Sequence, residues 1–339
     1  MNRIPEISVI ITAHNRKEFI RFAVKSVLSQ DFEKDAFEII VVCNFVDEDL
    51  GQYLSSNGVK YLLVKADAVG KKIAEAVTIS KGEILCFLED DDLFTSQKLS
   101  TVSKIFKQHD VGFCLNSFTT IDIYGIKIKN DLEPHYKQNF IFHPDSYRNN
   151  PDILKQIGKS IRNSSITIRK KLVERLIKDL EEIKLSPDFF MFYSALYSQS
   201  SLYLYAGDLT VYRVHNSASN SIDSFESFIS SKTYFLKQSL GDGLLIKHVM
   251  KGTIFEKYLD IHILEIKATL SLCSSEIYFS LVELAKSLLD GGRSLHNNRN
   301  RFALLLFTTI SKIKRKPIMK LYYVFSMHKN KSSTKSPHT

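Results

Sequence analysis

Two short runs of apolar, largely β-branched residues frame the start of the chain: Ile7 to Ala13 (ISVIITA) and Glu38 to Cys43 (EIIVVC). Between them Phe19, Phe22, Ala23, Val27 and Leu28 recur at mainly helical spacing, and His14-Asn15-Arg16 breaks the first run, with Asn15 as candidate N-cap. Strands apolar on both faces need cover on both sides, which is the environment of a parallel sheet flanked by helices. Two of them joined by a helix make a βαβ unit whose crossover hand is almost fixed. The alternation continues with a short strand at Lys60 to Val64 and helical spacing over Ile73 to Ile79. Lys81-Gly82 then leads into a strand at Glu83 to Leu88. Residues 1–110 therefore read as α/β, in the style of nucleotide-binding folds.

The rhythm changes between Val111 and Arg169, where strand candidates Gly112 to Leu115 and Ser165 to Arg169 are separated by polar stretches. Helical patterns return at Lys170 to Ile183 and Phe189 to Tyr197. Strand-like Leu202 to Tyr205 and Leu209 to His215 follow. Beyond Asn220 the apolar spacing is helical over 228–239, 254–270 and 277–289. With 339 residues, 44% of them hydrophobic, the chain has ample core material for one large domain or two modest ones.

Charge is unevenly placed. The net charge is +9, yet the segment after Asp290 holds eleven basic residues and no acidic one, so the remainder is net negative. Such a tail suits the anionic face of a membrane or a nucleic acid. No nucleic-acid-binding motif accompanies it, which argues against that partner. The first residues lack a secretory signal pattern, and no run reaches the ~18–20 apolar residues of a membrane span. Cys43, Cys86, Cys114 and Cys273 form no CxxC pair and read as small buried hydrophobes of a reducing compartment. A cytoplasmic location is the expectation.

The most pointed chemical signal is Glu89-Asp90-Asp91-Asp92, four carboxylates directly after a buried strand. In parallel sheets ligands bind at that end of the strands. Like charges so placed call for a cation, and carboxylate oxygens suit Mg²⁺ or Mn²⁺. On residues alone a solvated acidic turn capping the next helix is an equal reading.

The segments ISVIITAHNR, FIRFAVKSVLSQDF, EIIVV, KGEILCFLEDDDLF and YRVHNSASNS, in that order, resemble glycosyltransferase family 2 over roughly residues 5–220. The resemblance implies the GT-A fold, a Rossmann-like α/β domain with a mixed, mostly parallel sheet, here with a C-terminal helical extension. The implied boundaries are 1–220 for the catalytic domain (a nucleotide-sugar half to about 110, then an acceptor half), 221–325 for a helical region and 326–339 for a disordered basic tail. It also implies inverting, Mg²⁺- or Mn²⁺-dependent transfer from a nucleotide-sugar, with a UDP-sugar favoured and GDP or dTDP open. The acceptor would be a glycan or a lipid-linked molecule of polysaccharide or glycoconjugate biosynthesis. A non-catalytic nucleotide-sugar-binding protein is the alternative.

The same resemblance assigns roles. Thr12, Ala13, His14 and Arg16 fall where the family binds base and ribose. Glu89-Asp90-Asp91 occupies the DxD position, with Asp91 on the metal, Glu89 and Asp90 beside the donor, and Asp92 supporting the loop or touching the sugar. Asp188, in Ser186-Pro187-Asp188-Phe189-Phe190, takes the place of the general base; the same residue also suits the first turn of a helix. Arg213 is placed to pair with phosphate and His215 to ligate the metal, although a lone histidine is as often structural. Three departures stand out: Cys43-Asn44-Phe45-Val46 replaces two acids before Gly-Ser, Glu89 begins the DxD, and Gly70-Lys71-Lys72 replaces an Arg-Asn pair. Asn44 then becomes the candidate reader of the base, and Lys71 or Lys72 the cation that reaches the donor. Phe302 to Ile310, followed by Lys312, Lys314, Arg315 and Lys316, fits a peripheral anchor on an anionic membrane surface as well as a core helix.

Overall fold

The computed structural model describes residues 3–128, 133–134, 136–154, 157, 161–214, 224–274, 319–321 and 323. The chain forms two compact units: Met1–Ile128 with Glu133–Ser146 and Ser160–Val214, and Lys129–Leu132 with Tyr147–Lys159 and His215–Thr339.

The first unit is built on one mixed sheet. Strands β1 (Ile7–Ala13), β2 (Phe37–Cys43), β3 (Lys60–Leu63) and β4 (Ile84–Glu89) run parallel, with β1 between β2 and β4. The short β5 (Leu93–Phe94), β6 (Phe113–Ile121), β7 (Lys127–Ile128), β8 (Phe140–Phe142), β9 (Ile166–Arg169) and β10 (Leu202–Arg213) complete the sheet. The order is β3-β2-β1-β4-β9-β6-β10-β5, with β7 on β6 and β8 on β10. Strand β9 is antiparallel to both neighbours, whereas β6 and β10 are parallel to each other. This is the mixed, mostly parallel GT-A sheet that the family resemblance implies.

The apolar runs become the sheet's interior: Val9, Ile11, Val41, Cys86 and Leu88 are all fully buried. Each large aliphatic chain so removed from water contributes about 1.5–3 kcal/mol. Helices α1 (Ile20–Leu28), α2 (Glu48–Ser56), α3 (Val69–Ile79) and α4 (Lys98–Gln108) alternate with the strands. Helix α1 begins four residues later than an N-cap at Asn15 would require. Its N-cap is Phe19, while Asn15 adopts a left-handed φ of 56° in the preceding turn.

The pattern read as one helix over Lys170 to Ile183 is two, Lys170–Glu174 and Ile177–Glu182, bent at Arg175 and Leu176. The bend has a consequence for α3. The carbonyl of Ile183 accepts the Gly70 N–H at 2.8 Å, satisfying one donor that a helix start leaves open. A Cβ on Gly70 would lie 1.9 Å from the Leu180 carbonyl oxygen, so only glycine permits this approach. The two strand candidates after Leu202 are one strand, β10, with register shifts around Asp208 that interrupt its alternation.

In the second unit the helices Phe225–Val249 and Glu256–Cys273 pack together, with Ser224 capping the first by accepting from the Ser227 N–H. Lys247 pairs with Asp260, and the rings of Phe225 and Phe228 both meet Tyr323. These helices take up the patterns at 228–239 and 254–270. The pattern at 277–289, the basic anchor candidate at 302–316 and the tail at 326–339 lie outside the described residues. No described helix is long and apolar enough to cross a membrane.

Candidate active site

The parallel register sets Thr12, near the end of β1, beside Glu89, the end of β4. Thr12 Oγ1 donates to Glu89 Oε2 at 3.3 Å, and the Asp90 N–H donates to the Thr12 carbonyl at 3.1 Å. The carboxylate turn is thus tied to the first strand. Asp90 and Asp92 are buried, at 2% and 1% exposure.

Arg16 faces this turn with both guanidinium ends, Nη2 lying 2.6 Å from Asp90 Oδ1 and Nη1 2.8 Å from Asp91 Oδ2. One guanidinium does not balance the cluster. Burial, reinforced by the Asp91 charge, pushes Glu89 up to about 7, against hydrogen bonds from Asn163 and Thr12 and the pull of Arg16. Burial also pushes Asp90 up to about 7 although Arg16 opposes it. Asp92 is driven well above the ordinary carboxylate range, by burial first and then by Asp91.

Two residues of the turn before β9, which sequence reasoning missed, organise these acids. Asn163 Nδ2 donates to Glu89 Oε1 at 2.6 Å. Ser164 Oγ donates to Asp92 Oδ2 at 2.6 Å and accepts the Glu89 N–H at 3.0 Å. Nothing in Arg162-Asn163-Ser164-Ser165 separates it from an ordinary polar turn; only the antiparallel pairing of β9 with β4 brings it here.

On the other flank the β1–α1 turn is braced by a reciprocal amide pair. Asn44 Oδ1 accepts the Asn15 N–H, and Asn44 Nδ2 donates to Asn15 Oδ1, both at 2.9 Å. Asn44, the candidate base reader, therefore holds the turn that carries His14 and Arg16. Lys72 is fully buried with its Nζ 2.6 Å from His14 Nδ1. Its neighbour Lys71 points elsewhere, to Glu75 and Glu181 at 2.9 and 3.3 Å. Of the two candidate lysines the structure brings Lys72 to the site. Ala13, buried at the end of β1, supplies backbone there.

Arg213 closes the carboxylate turn from β10. Its N–H donates to Asp92 Oδ1 at 2.9 Å and its Nε to the Asp91 carbonyl at 2.9 Å. Its Nη1 donates to the carbonyls of Asp122 and Ile123, and the guanidinium lies 4.5 Å from the centre of the Phe19 ring. Arg213 thus ties backbone at three places. Asp188 stands in the first turn of the helix Pro187–Tyr197, with Oδ1 accepting the Phe189 N–H at 2.9 Å. His215 lies outside the described residues.

A divalent metal suits this donor set. The acids are hard oxygens with excess negative charge, and the Oδ1 of Asn163 is buried beside Glu89 without a hydrogen-bond partner. Among the described residues no group of three or more acids, histidines or cysteines forms a metal cage. A metal held here would share its coordination between a carboxylate and substrate phosphates, as Mg²⁺ commonly does.

Comparison with known proteins bears on the family and the fold. Residues 8–176 match the Glycosyl transferase family 2 profile. An uncharacterized glycosyltransferase of Rickettsia bellii is 28% identical over 127 residues, covering 36% of this chain and 18% of the relative. The GalNAc(5)-diNAcBac-PP-undecaprenol beta-1,3-glucosyltransferase of Campylobacter jejuni is 32% identical over 123 residues, covering 33% and 39%. The chain thus spans well under half the length of either relative. Among solved structures, S. aureus TarS 1-349 in complex with UDP-GlcNAc superposes with a TM-score of 0.54 at 14% identity, over 91% of this chain and 92% of that one.

Proposed function

Over residues 8–176 the chain is a member of glycosyl transferase family 2, and on that footing we propose that it transfers a sugar, with inversion, from a nucleoside-diphosphate sugar to a glycan or lipid-linked acceptor. The observation that carries this reading is the carboxylate turn Glu89–Asp92 at the C-terminal end of β4, beside the Thr12–Arg16 end of β1.

The reaction breaks the bond between the anomeric carbon and the diphosphate while an acceptor hydroxyl attacks from the opposite face. Asp188 takes the hydroxyl proton, and direct displacement with one base inverts the anomeric centre. Negative charge grows on the departing diphosphate. Asp91 and His215 would hold Mg²⁺ or Mn²⁺, which would supply Lewis-acid stabilisation of that charge. Thr12, Ala13 and His14 shape the base and ribose site. Lys72 sets the position of His14, and Arg16 fixes Asp90 and Asp91. UDP is present in a TarS complex of similar fold and is the first nucleotide to test; GDP and dTDP follow. The eleven basic residues after Asp290 support a peripheral position on the cytoplasmic face of an anionic membrane, with a lipid-linked acceptor. Flotation with anionic vesicles tests that placement, and binding that survives deletion of residues 298–339 overturns it.

Calorimetric titration with UDP, GDP and dTDP, with and without Mn²⁺, tests the donor site. Metal-dependent binding of one nucleotide, lost in Asp91→Asn, is the expected result. A folded protein that binds none of them overturns the reading.

A further inference from the structure

Lys98, at the start of α4, is fully buried, and among the described residues no carboxylate contacts it. Its ammonium donates to Asn116 Oδ1 and lies 5.1 Å from the centre of the Phe94 ring. Taking a lysine out of water into such surroundings is costly, and an apolar side chain of similar length would pack there without that cost.

The hydrogen bonds leading away from Lys98 run to the backbone of Ser164, and the hydroxyl of the same residue carries the path on to Asp92. Asn116 Nδ2 donates to Thr210 Oγ1 at 3.0 Å, and Thr210 Oγ1 donates to the Ser164 carbonyl at 2.9 Å. Ser164 Oγ then donates to Asp92 Oδ2 at 2.6 Å. Asn116, Thr210, Ser164 and Asp92 are each no more than 1% exposed. Every donor points the same way, and from the ammonium to the Ser164 carbonyl the dipoles align and each bond strengthens the next, while Ser164 passes the constraint on to Asp92 by fixing its own position. At the far end Asp92 holds the Arg213 N–H, and Arg213 Nε holds the Asp91 carbonyl. The path therefore ends on the backbone that carries Asp91.

We propose that Lys98 is a positioning residue for the donor site, acting through Asn116, Thr210 and Ser164 to hold Asp92, and through Asp92 the turn that bears Asp91. This rests on reading that turn as the donor site. Lys98 makes no contact with donor; its part is to polarise and fix a chain of buried groups whose last member sits beside the proposed metal ligand.

The test measures nucleotide affinity by calorimetry with UDP, GDP and dTDP in Mn²⁺, alongside thermal melting, for Lys98→Met, Thr210→Val, Thr210→Ser and the Lys98→Met/Thr210→Val pair. Loss of one link weakens binding about three- to tenfold, the scale of one buried hydrogen bond. Thr210→Ser keeps the hydroxyl and restores wild-type affinity, whereas Thr210→Val keeps the shape and does not. The double variant binds no more weakly than the weaker single, because both cut the same path. Wild-type affinity in Thr210→Val or in folded Lys98→Met, or losses that simply add, overturns the relay. Should Lys98→Met fail to fold, the two Thr210 variants decide alone. A wild type that binds no nucleotide is a different result: the donor-site reading then fails, and the relay's role falls with it.

Discussion

Lys72 Nζ lies 2.6 Å from His14 Nδ1, a buried cation against a ring in the exposed turn that follows β1. An ammonium can only donate, so Nδ1 accepts and the ring proton sits on Nε2. Burial, then Lys72, lowers the His14 pKa. Because the folded protein keeps the ring neutral where the unfolded chain takes up a proton, stability declines as pH falls below the ordinary histidine value of about 6.5. Long-range ¹⁵N spectra of the imidazole are expected to show the Nε2–H tautomer at neutral pH. Lys72→Met is expected to raise the His14 pKa and free the ring to exchange tautomers. An unchanged titration curve would separate the two residues.

The carboxylate turn titrates in the opposite sense. Glu89 and Asp90 reach about 7 in the metal-free protein, well above their unfolded values near 4. Between those values the folded state holds protons that the unfolded state has lost, so stability falls as pH rises through the window. The metal-free protein is expected to melt several degrees higher at pH 6 than at pH 8. Mn²⁺ competes with the protons and is expected to raise the melting temperature more at pH 8 than at pH 6. Equal Mn²⁺ shifts at both values would detach the metal from these acids.

Gly70→Ala tests how α3 delivers Lys72. The added carbon would sit 1.9 Å from the Leu180 carbonyl oxygen, which is backbone and cannot rotate away. Relief requires α3 to move from the Ile177–Glu182 helix, breaking the Gly70–Ile183 hydrogen bond. The expected cost is about 1–3 kcal/mol in denaturant unfolding, with nucleotide binding weakened as Lys72 shifts. Gly51→Ala, with nothing near its Cβ, is the matched control and is expected to be close to neutral.

How much of this was legible in the sequence follows from range. The parallel strands β1, β2 and β4 and the helices between them were legible because each carries its own periodicity and their neighbours follow soon in the chain. Strand β9 was found as a strand, but its antiparallel seat between β4 and β6 was not, since no local pattern encodes a partner so far upstream. The site divides the same way. Glu89 to Asp92 announce themselves as a charge run after an apolar strand. Asn163 and Ser164 are everyday turn residues until the sheet places them on Glu89 and Asp92. Arg213 was singled out as a phosphate partner; its bonds to the Asp91, Asp122 and Ile123 carbonyls depend on turns that periodicity does not describe.

Those bonds make Arg213 a test of the turn's rigidity. Arg213→Lys keeps a positive charge but loses the planar fork that reaches separate carbonyls, and the stacking on Phe19. A loss of about 1–3 kcal/mol is expected in chemical denaturation, because part-buried carbonyls lose their donor. Metal-dependent nucleotide affinity is expected to fall in the same variant. Unchanged affinity in a destabilised Arg213→Lys would show that the turn holds its shape without this tie.

The division of labour between Asp91 and Asp188 is the sharpest test of the catalytic reading. They sit on different elements: Asp91 in the turn after β4, tied to Arg16, and Asp188 in the first turn of the helix Pro187–Tyr197. Asp188→Asn keeps an oxygen able to accept the Phe189 N–H, so the helix start is retained. If Asp188 is the base, this variant binds nucleotide in Mn²⁺ as the wild type does. Sugar transfer then falls about 10²–10⁴-fold, the usual contribution of a general base. Asp91→Asn is expected to lose metal-dependent binding and transfer together. Should Asp188→Asn melt early and keep transfer per folded molecule, the carboxylate is a helix-start residue and the base lies elsewhere.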